Sequence, residues 1–179
     1  MSTSLAFPVP SQTSSAKRSP AEAAREMLAR WWRGTLPVDP MQIAAFEGLT
    51  ALASNPFDET HQKWMSGASG RFDAGHRLIM YSGTEPPVRQ RFTVAHELGH
   101  FALQHGNAFR DYPSSFSSHA ADWMEREANQ FAAELLMPAD ALVRIVRSGT
   151  VADAGALAAM FNVSKVAMSY RLQNLGLLS

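Results

Sequence analysis

The chain has 179 residues, of which 46% are hydrophobic and 18% charged, with no cysteine and a formal net charge of zero. The lack of cysteine excludes disulfides and thiolate metal sites, the neutral charge argues against a general affinity for nucleic acid or anionic membranes, and no apolar run approaches the ~20 residues that span a bilayer. We therefore expect a cytoplasmic protein of one domain, or one domain with a small appendage, that does not associate with membranes.

The N-terminal third predicts a tail followed by helices. Residues 1–20 are rich in serine, threonine and proline, which is typical of a disordered tail. Apolar residues recur at helical spacing over 21–33, and Gly34 follows, so a helix is expected there. After a turn at 37–40, a second helix is expected over 43–49.

The next segment predicts β-structure. Turn-forming residues are concentrated between Gly67 and Gly75, and the segment 77–81 is rich in residues that favour strands. We expect a strand at 77–81 that belongs to a hairpin or to the edge of a small sheet.

A third helix is expected to begin at Pro86 or Pro87 and to end before a glycine cap at Gly106. Proline is tolerated in the first turn of a helix, and apolar residues recur behind it at three- and four-residue spacing. Apolar residues also occupy the opposite face, so this helix is expected to be buried on most sides.

This helix carries the pattern H-E-x-x-H at residues 96–100. Histidines four residues apart lie on one helix face, so both imidazoles can reach a single metal ion. Neutral imidazole is a good zinc ligand, and zinc lowers the pKa of bound water far enough for a carboxylate to deprotonate it. The pattern predicts His96 and His100 as ligands and Glu97 as the general base of a zinc hydrolase.

A catalytic zinc site usually has three protein ligands, so a third is needed. Without cysteine it must be His, Asp or Glu, and segment 125–138 offers two glutamates on a predicted helix that ends at its proline. Glu125 is expected to point along the buried apolar stripe and Glu127 to lie at its edge. We prefer Glu125 as the third ligand and keep Glu127 as the alternative. Asn129, one turn later, is expected to orient a histidine through a hydrogen bond.

The segment 106–122 between these two helices is predicted to be a loop that overhangs the cleft. His119 or Tyr112 could stabilise a developing oxyanion there, as electrophilic side chains do in other zinc peptidases. An ordinary surface loop accounts for both residues equally well.

The C-terminal segment 149–179 predicts two helices of a helix-turn-helix, with Asn162 at the turn. Arg171 falls where a further apolar residue is usual, and Leu172 can substitute for it. Lys165 and Arg171 are the only cations of the second helix, too few for a convincing phosphate-binding footprint. We expect a helical support packed on the preceding domain, and we do not expect DNA binding.

The two motifs together resemble those of the ImmA/IrrE family of metallopeptidases. The similarity is carried by Arg91–His100 and Glu125–Pro138. It implies an α+β, predominantly helical, zincin-like fold with a small β-sheet beside the active-site helix and a C-terminal helix-turn-helix-like segment. The expected domains are the tail at 1–20, a peptidase domain at 21–148 and the helical segment at 149–179.

The resemblance also implies a site and a partner. It implies that His96, His100 and Glu125 bind one zinc ion, with manganese as an alternative, and that Glu97 activates water. In thermolysin-type enzymes an acid follows the third ligand by four residues, and here Asn129 has an amide in that place. Such proteins typically cleave a helix-turn-helix repressor in stress responses or toxin–antitoxin-like modules. The expected partner is therefore a repressor or antitoxin-like protein, bound as an extended segment at the sheet edge.

The alternative is a non-catalytic regulatory module that binds protein or DNA and keeps a structural or vestigial metal site. Glu97 separates the two hypotheses, because a structural site needs no base and is more often closed by a fourth protein ligand. Its presence favours the enzyme.

Overall fold

The structure is a computed structural model that describes residues 18–177 except 56, 66, 106–116 and 150–152, with the backbone alone for 117–121. These residues form eight helices and three strands. In chain order they are α1 (Pro20–Trp31), α2 (Pro40–Phe46), β1 (Thr50–Ser54), α3 (Glu59–Met65), β2 (Gly70–Asp73), β3 (Leu78–Ser82), α4 (Pro87–Ala102), α5 (Ser117–Leu136), α6 (Ala139–Arg147), α7 (Ala154–Phe161) and α8 (Lys165–Asn174). No helix within these ranges has both the length and the apolar character needed to cross a bilayer. The fold is predominantly helical with one small sheet, as the sequence predicted.

The sheet has the strand order β1-β3-β2. β1 pairs in parallel with β3, and β2 pairs with β3 in the antiparallel direction. The link from β2 to β3 is the predicted hairpin, and the strand expected at 77–81 is found at 78–82. β2 is the edge strand beside α4: a β-carbon on Gly70 would lie 2.2 Å from Cγ2 of Thr93. Only glycine fits where the strand crosses this helix.

The start of α1 is defined by a capping box. The Ser19 side chain accepts a hydrogen bond from the Glu22 N–H, and the Glu22 carboxylate accepts one from the Ser19 N–H at 2.9 Å. The helix ends before Gly34, which has a left-handed φ of 86°. The expected helix is thus found, although it begins inside the predicted tail. Residues 1–17 of that tail lie outside the described residues.

The region after α1 differs from the prediction at three places. The second helix ends at Phe46 because Gly48 adopts a φ of 73°, which turns the chain and lets Leu49 lead into β1. β1 itself was not predicted, because all of its side chains are exposed or half-buried and it lacks an alternating pattern. The short helix α3 was not predicted either.

The boundaries on either side of segment 106–116 also differ from the prediction. α4 ends at Ala102, and Gln104 takes the left-handed conformation with a φ of 58°, so the expected cap at Gly106 is wrong. Gly106 itself lies outside the described residues. α5 begins at Ser117, so the loop predicted to extend to residue 122 is helical in its last part.

One hydrophobic core joins the N-terminal helices, the sheet, α4, α5 and the C-terminal helices. Its fully buried side chains include Met27, Ile79, Leu98, Phe131, Leu135, Phe161 and Met168. The turn between α7 and α8 is made by Asn162 with a φ of 50°, as predicted from its position. The C-terminal helices therefore share the core of the rest of the chain.

Polar contacts also attach the C-terminal helices to the rest of the chain. Arg171 forms an ion pair with the buried Glu134, and its Nε donates to the Met137 carbonyl at 3.0 Å. Arg91 of α4 donates from Nε to the Asn162 carbonyl at 3.2 Å. The cation at an otherwise apolar helix position is thus explained by a carboxylate that lies 37 residues away along the chain.

The shared core predicts that damage in α7 destabilises the whole protein. Phe161 is fully buried, so Phe161→Ala should lower the free energy of unfolding by about 3–5 kcal/mol through lost burial and a cavity. Tyr170→Ala, at a side chain that is 64% exposed, is the matched aromatic control and should change it little. Urea unfolding followed by circular dichroism and tryptophan fluorescence measures both. Two separate transitions, with only the smaller one shifted by Phe161→Ala, would contradict a shared core.

Candidate metal centre

Two helices bring three potential metal ligands to one point. His96 and His100 lie one turn apart on α4, with their Nε2 atoms 3.0 Å from each other. Glu125 of α5 places one carboxylate oxygen 3.0 Å from His96 Nε2 and the other 3.3 Å from His100 Nε2. Two imidazole nitrogens and a carboxylate at these separations match the ligand set of a zinc ion bound by two histidines and a carboxylate. The three side chains thus form, within the described part of the chain, a group of donors close enough together to hold one metal ion.

The ring nitrogen of His96 that faces away from this cluster also has a partner. His96 Nδ1 lies 3.0 Å from the Asn129 side-chain oxygen. An amide oxygen only accepts, so this contact favours a proton on Nδ1 and leaves Nε2 with a free lone pair. The structure thus brings Asn129 to a ring that it was expected to orient, and that role remains a prediction.

Glu127, the alternative third ligand, lies elsewhere. Its carboxylate is 3.1 Å from His105 Nε2, and His105 Nδ1 is in turn 3.0 Å from His100 Nδ1. His105 is only 2% exposed. His105 was given no role from the sequence, because a spacing of five residues from His100 does not place two side chains on the same face of a helix.

The burial expected for the two glutamates is wrong. The side chain of Glu125 is 57% exposed, whereas that of Glu127 is 14% exposed. The buried stripe of α5 passes through Met124, Ala128, Phe131 and Leu135, and Glu125 lies beside it at the open side of the helix crossing. Glu125 therefore meets the histidines from the solvent side.

A close approach of α4 and α5 makes this meeting possible. A β-carbon on Gly99 would lie 3.0 Å from the Ala128 Cα and 3.2 Å from the Phe131 Cβ. These distances are shorter than ordinary carbon–carbon contacts, so any side chain at Gly99 would push the two helices apart. The glycine within the motif thus sets the spacing between the helix that carries the histidines and the helix that carries Glu125.

Glu97 lies next to the cluster and is 7% exposed. Burial, together with the charge of the nearby Glu125 carboxylate, raises the pKa of its carboxyl to about 7. A hydrogen bond from the Phe72 backbone N–H and the charge of Arg71 act in the opposite direction. A carboxylate whose pKa is near neutrality is well matched to accept and return a proton at pH 7.

His100 is in the protonation state that metal binding needs. Burial, together with the neighbouring His96 and His105, lowers the pKa of its imidazole to about 3. The ring is therefore neutral at pH 7, with a lone pair on one nitrogen available to a metal ion.

The cluster opens into a cleft of about 700 Å³ between β2, α4 and α5. Arg71 of β2 lines this cleft, and its position is held by donation to the Trp64 carbonyl at 2.9 Å and by stacking over the Trp64 ring. Arg71 was not marked by the sequence. Of the two residues proposed for oxyanion stabilisation, Tyr112 lies outside the described residues. His119 belongs to α5, but its side chain is not described.

Comparison with known proteins identifies relatives of this region. The family model of the IrrE N-terminal-like domain matches residues 58–173. The radiation response metalloprotease IrrE of Deinococcus radiodurans is 35% identical over 77 residues, which are 42% of this chain and 23% of that protein. A solved structure titled Mycobacterium tuberculosis transcriptional regulator is similar with a TM-score of 0.63 and 19% identity, over 86% of this chain and 46% of that one. The chain thus spans less than half the length of either relative, and the last similarity concerns the fold alone.

The cluster predicts that metal binding depends on His100. Even contacts outside the ligand sphere change metal affinity by 10–100-fold, so His100→Ala should weaken zinc binding by more than about 100-fold. His76→Ala is the matched control, because the His76 side chain is 81% exposed. Zinc content after dialysis, measured by mass spectrometry of the metal, should be close to one ion per chain in the control and close to none in His100→Ala. Undiminished zinc in His100→Ala would refute the cluster as a metal site.

Proposed function

The chain belongs to the Peptidase M78 family, that of the IrrE N-terminal-like domain, and from this membership we propose that it is a zinc-dependent endopeptidase. The observation that carries the proposal is the convergence of His96, His100 and Glu125 in a cleft, with Glu97 beside them. Two imidazoles and one carboxylate form the ligand set of many catalytic zinc sites. When bound there, zinc would lower the pKa of a coordinated water and polarise the carbonyl of a peptide bond.

Glu97 is assigned the role of general base. It takes a proton from the attacking water and returns it to the leaving nitrogen of the peptide. Three features support this role: its burial, its hydrogen bond from the edge strand and its raised pKa. Because Glu97 is hydrogen-bonded to the Phe72 N–H, the base and the edge strand β2 keep a fixed relation to each other.

The substrate is proposed to bind as an extended segment along β2. This strand is at the edge of the sheet, and Gly70, Arg71 and Phe72 line the cleft. An extended peptide can add to such an edge through main-chain hydrogen bonds. In that position its backbone lies along the free edge of β2 inside the cleft, which Glu97 also lines.

The proposed substrate is a helix-turn-helix repressor or an antitoxin-like partner. The name of one relative, a radiation response metalloprotease, supports a role in stress response. A role in transcription regulation follows from the proposed repressor substrate. The C-terminal helices support a protein partner over DNA. Arg171 is paired with Glu134 inside the protein, so α8 does not present its guanidinium to phosphate groups.

The proposal predicts that Glu97→Gln abolishes peptide cleavage while zinc binding is kept. An amide cannot accept the proton from water, and loss of general-base help usually costs about 100- to 10,000-fold in rate. The assay uses the zinc-loaded protein with a peptide library from a proteome digest, and with any helix-turn-helix repressor that is encoded beside its gene. New termini are identified by mass spectrometry.

Glu59→Gln is the control for this experiment, because it makes the same change at an exposed glutamate of α3. It should leave cleavage unchanged. If Glu97→Gln cuts the same substrates at the wild-type rate, Glu97 is not the base. If the wild-type protein binds zinc and the repressor but cuts nothing, the non-catalytic regulatory module is the better account.

A further inference from the structure

Both ring nitrogens of His100 contact other side chains, and both contacts connect the ring to carboxylates of α5. On one side, Nε2 lies 3.3 Å from Glu125. On the other side, Nδ1 lies 3.0 Å from His105 Nδ1, and the far nitrogen of His105 lies 3.1 Å from Glu127. Two carboxylates of one helix thus reach the same ring, one directly and one through a second histidine.

The protons of the hydrogen-bonded side chains of His100, His105 and Glu127 can be arranged in one consistent way. If His100 Nε2 binds a metal, its Nδ1 must carry the proton, and that N–H can only donate. His105 Nδ1 must then accept it, which puts the proton of the His105 ring on Nε2. This N–H in turn points to the Glu127 carboxylate, which accepts. Each N–H among these three side chains thus meets an acceptor.

We propose that His105 and Glu127 are positioning residues that hold His100 in the tautomer and orientation required for metal binding. The proposal rests on the metal site of the proposed function. Outer contacts of this kind make the ligand more basic and fix its ring, which increases metal affinity. Glu127 is therefore not a substitute for Glu125 as third ligand but acts on the same histidine from behind.

The backbone after α4 supports this assignment. On a continuing helix, a residue five positions after His100 would point about 140° away from it. The helix instead ends at Ala102, and Gln104 adopts a φ of 58°, a conformation that is uncommon for residues other than glycine. This turn brings the His105 ring back to 5.0 Å from the His100 ring. A costly backbone conformation at this point is explained by the contact that it creates.

Burial of the His105 ring makes its hydrogen bonds necessary. His105 is 2% exposed and packs against the Trp123 ring at 5.8 Å, and the Glu127 side chain is 14% exposed. A buried polar ring is stable only if its nitrogens are hydrogen-bonded. His105 meets this condition through His100 and Glu127, so the three side chains depend on one another.

Zinc affinity, measured by competition with a chromophoric chelator, tests the proposal. Glu127→Leu and His105→Leu should each weaken zinc binding by about 10–100-fold. Glu127→Gln removes the charge but keeps an oxygen that accepts from His105, so it should recover most of the loss seen in Glu127→Leu. Asp122→Leu removes an exposed acid of the same helix and should leave affinity unchanged. Wild-type affinity in both leucine variants would overturn the proposal, as would equal losses in Glu127→Leu and Glu127→Gln.

A spectrum of the wild-type protein provides a second test that needs no substitution and is unaffected by a variant that fails to fold. Long-range ¹H–¹⁵N correlation of the zinc-loaded protein reports which nitrogen of each histidine is protonated. We expect the proton on Nδ1 of His100 and on Nε2 of His105. A proton on Nδ1 of His105 would overturn the proposal, because that nitrogen could not then accept a hydrogen bond from His100.

These measurements distinguish a failure of this proposal from a failure of the proposed function. If the two histidines carry the expected protons and the leucine variants lose zinc affinity, but the protein cuts no peptide, the positioning role stands and the peptidase function is refuted. If the protein cuts peptides while the leucine variants retain wild-type affinity, the peptidase function stands and the positioning role is refuted.

Discussion

The close packing of α4 on α5 is the contact on which the candidate site depends. Neither helix holds a complete ligand set: α4 carries two histidines and α5 carries the carboxylate. They meet because Gly99 has no side chain and Ala128 has a small one, so the backbone of one helix lies against the other. Protein interiors are packed densely enough that an added methyl group is felt by its neighbours. A change at this crossing would therefore move Glu125 relative to His96 and His100.

The same crossing satisfies the polar groups behind the ligands. Asn129 of α5 accepts from His96, and the pair of His105 and Glu127 serves His100. A buried imidazole without such partners would cost free energy, and it could turn to expose the wrong nitrogen. The candidate metal centre thus depends on two faces of α5. One face supplies a ligand at the open cleft, and the other supplies hydrogen-bond acceptors inside the protein.

Most of the helices and the juxtaposition of the two histidines were predictable because they depend on local spacing. The period of an α-helix places His96 beside His100, and a left-handed turn suits Asn162, so these features can be read from short segments. The missed features have no periodic signal in the sequence. β1 has an exposed surface and no alternating pattern. His105 reaches the site through one backbone angle at Gln104, and Arg171 is explained only by Glu134. The exposure of Glu125 follows from the crossing of two helices, which the apolar stripe of α5 alone does not reveal.

X-ray absorption at the zinc edge counts the atoms around the metal in the loaded wild-type protein, so it shows whether the site is open. We expect four light-atom neighbours at about 2.0–2.2 Å, of which two are imidazole nitrogens, one is a carboxylate oxygen and one is not supplied by the protein. Exogenous azide or hydroxamate should replace that last neighbour. A spectrum with three or four imidazoles and no exchangeable neighbour would instead describe a closed structural site and rule out the open catalytic one.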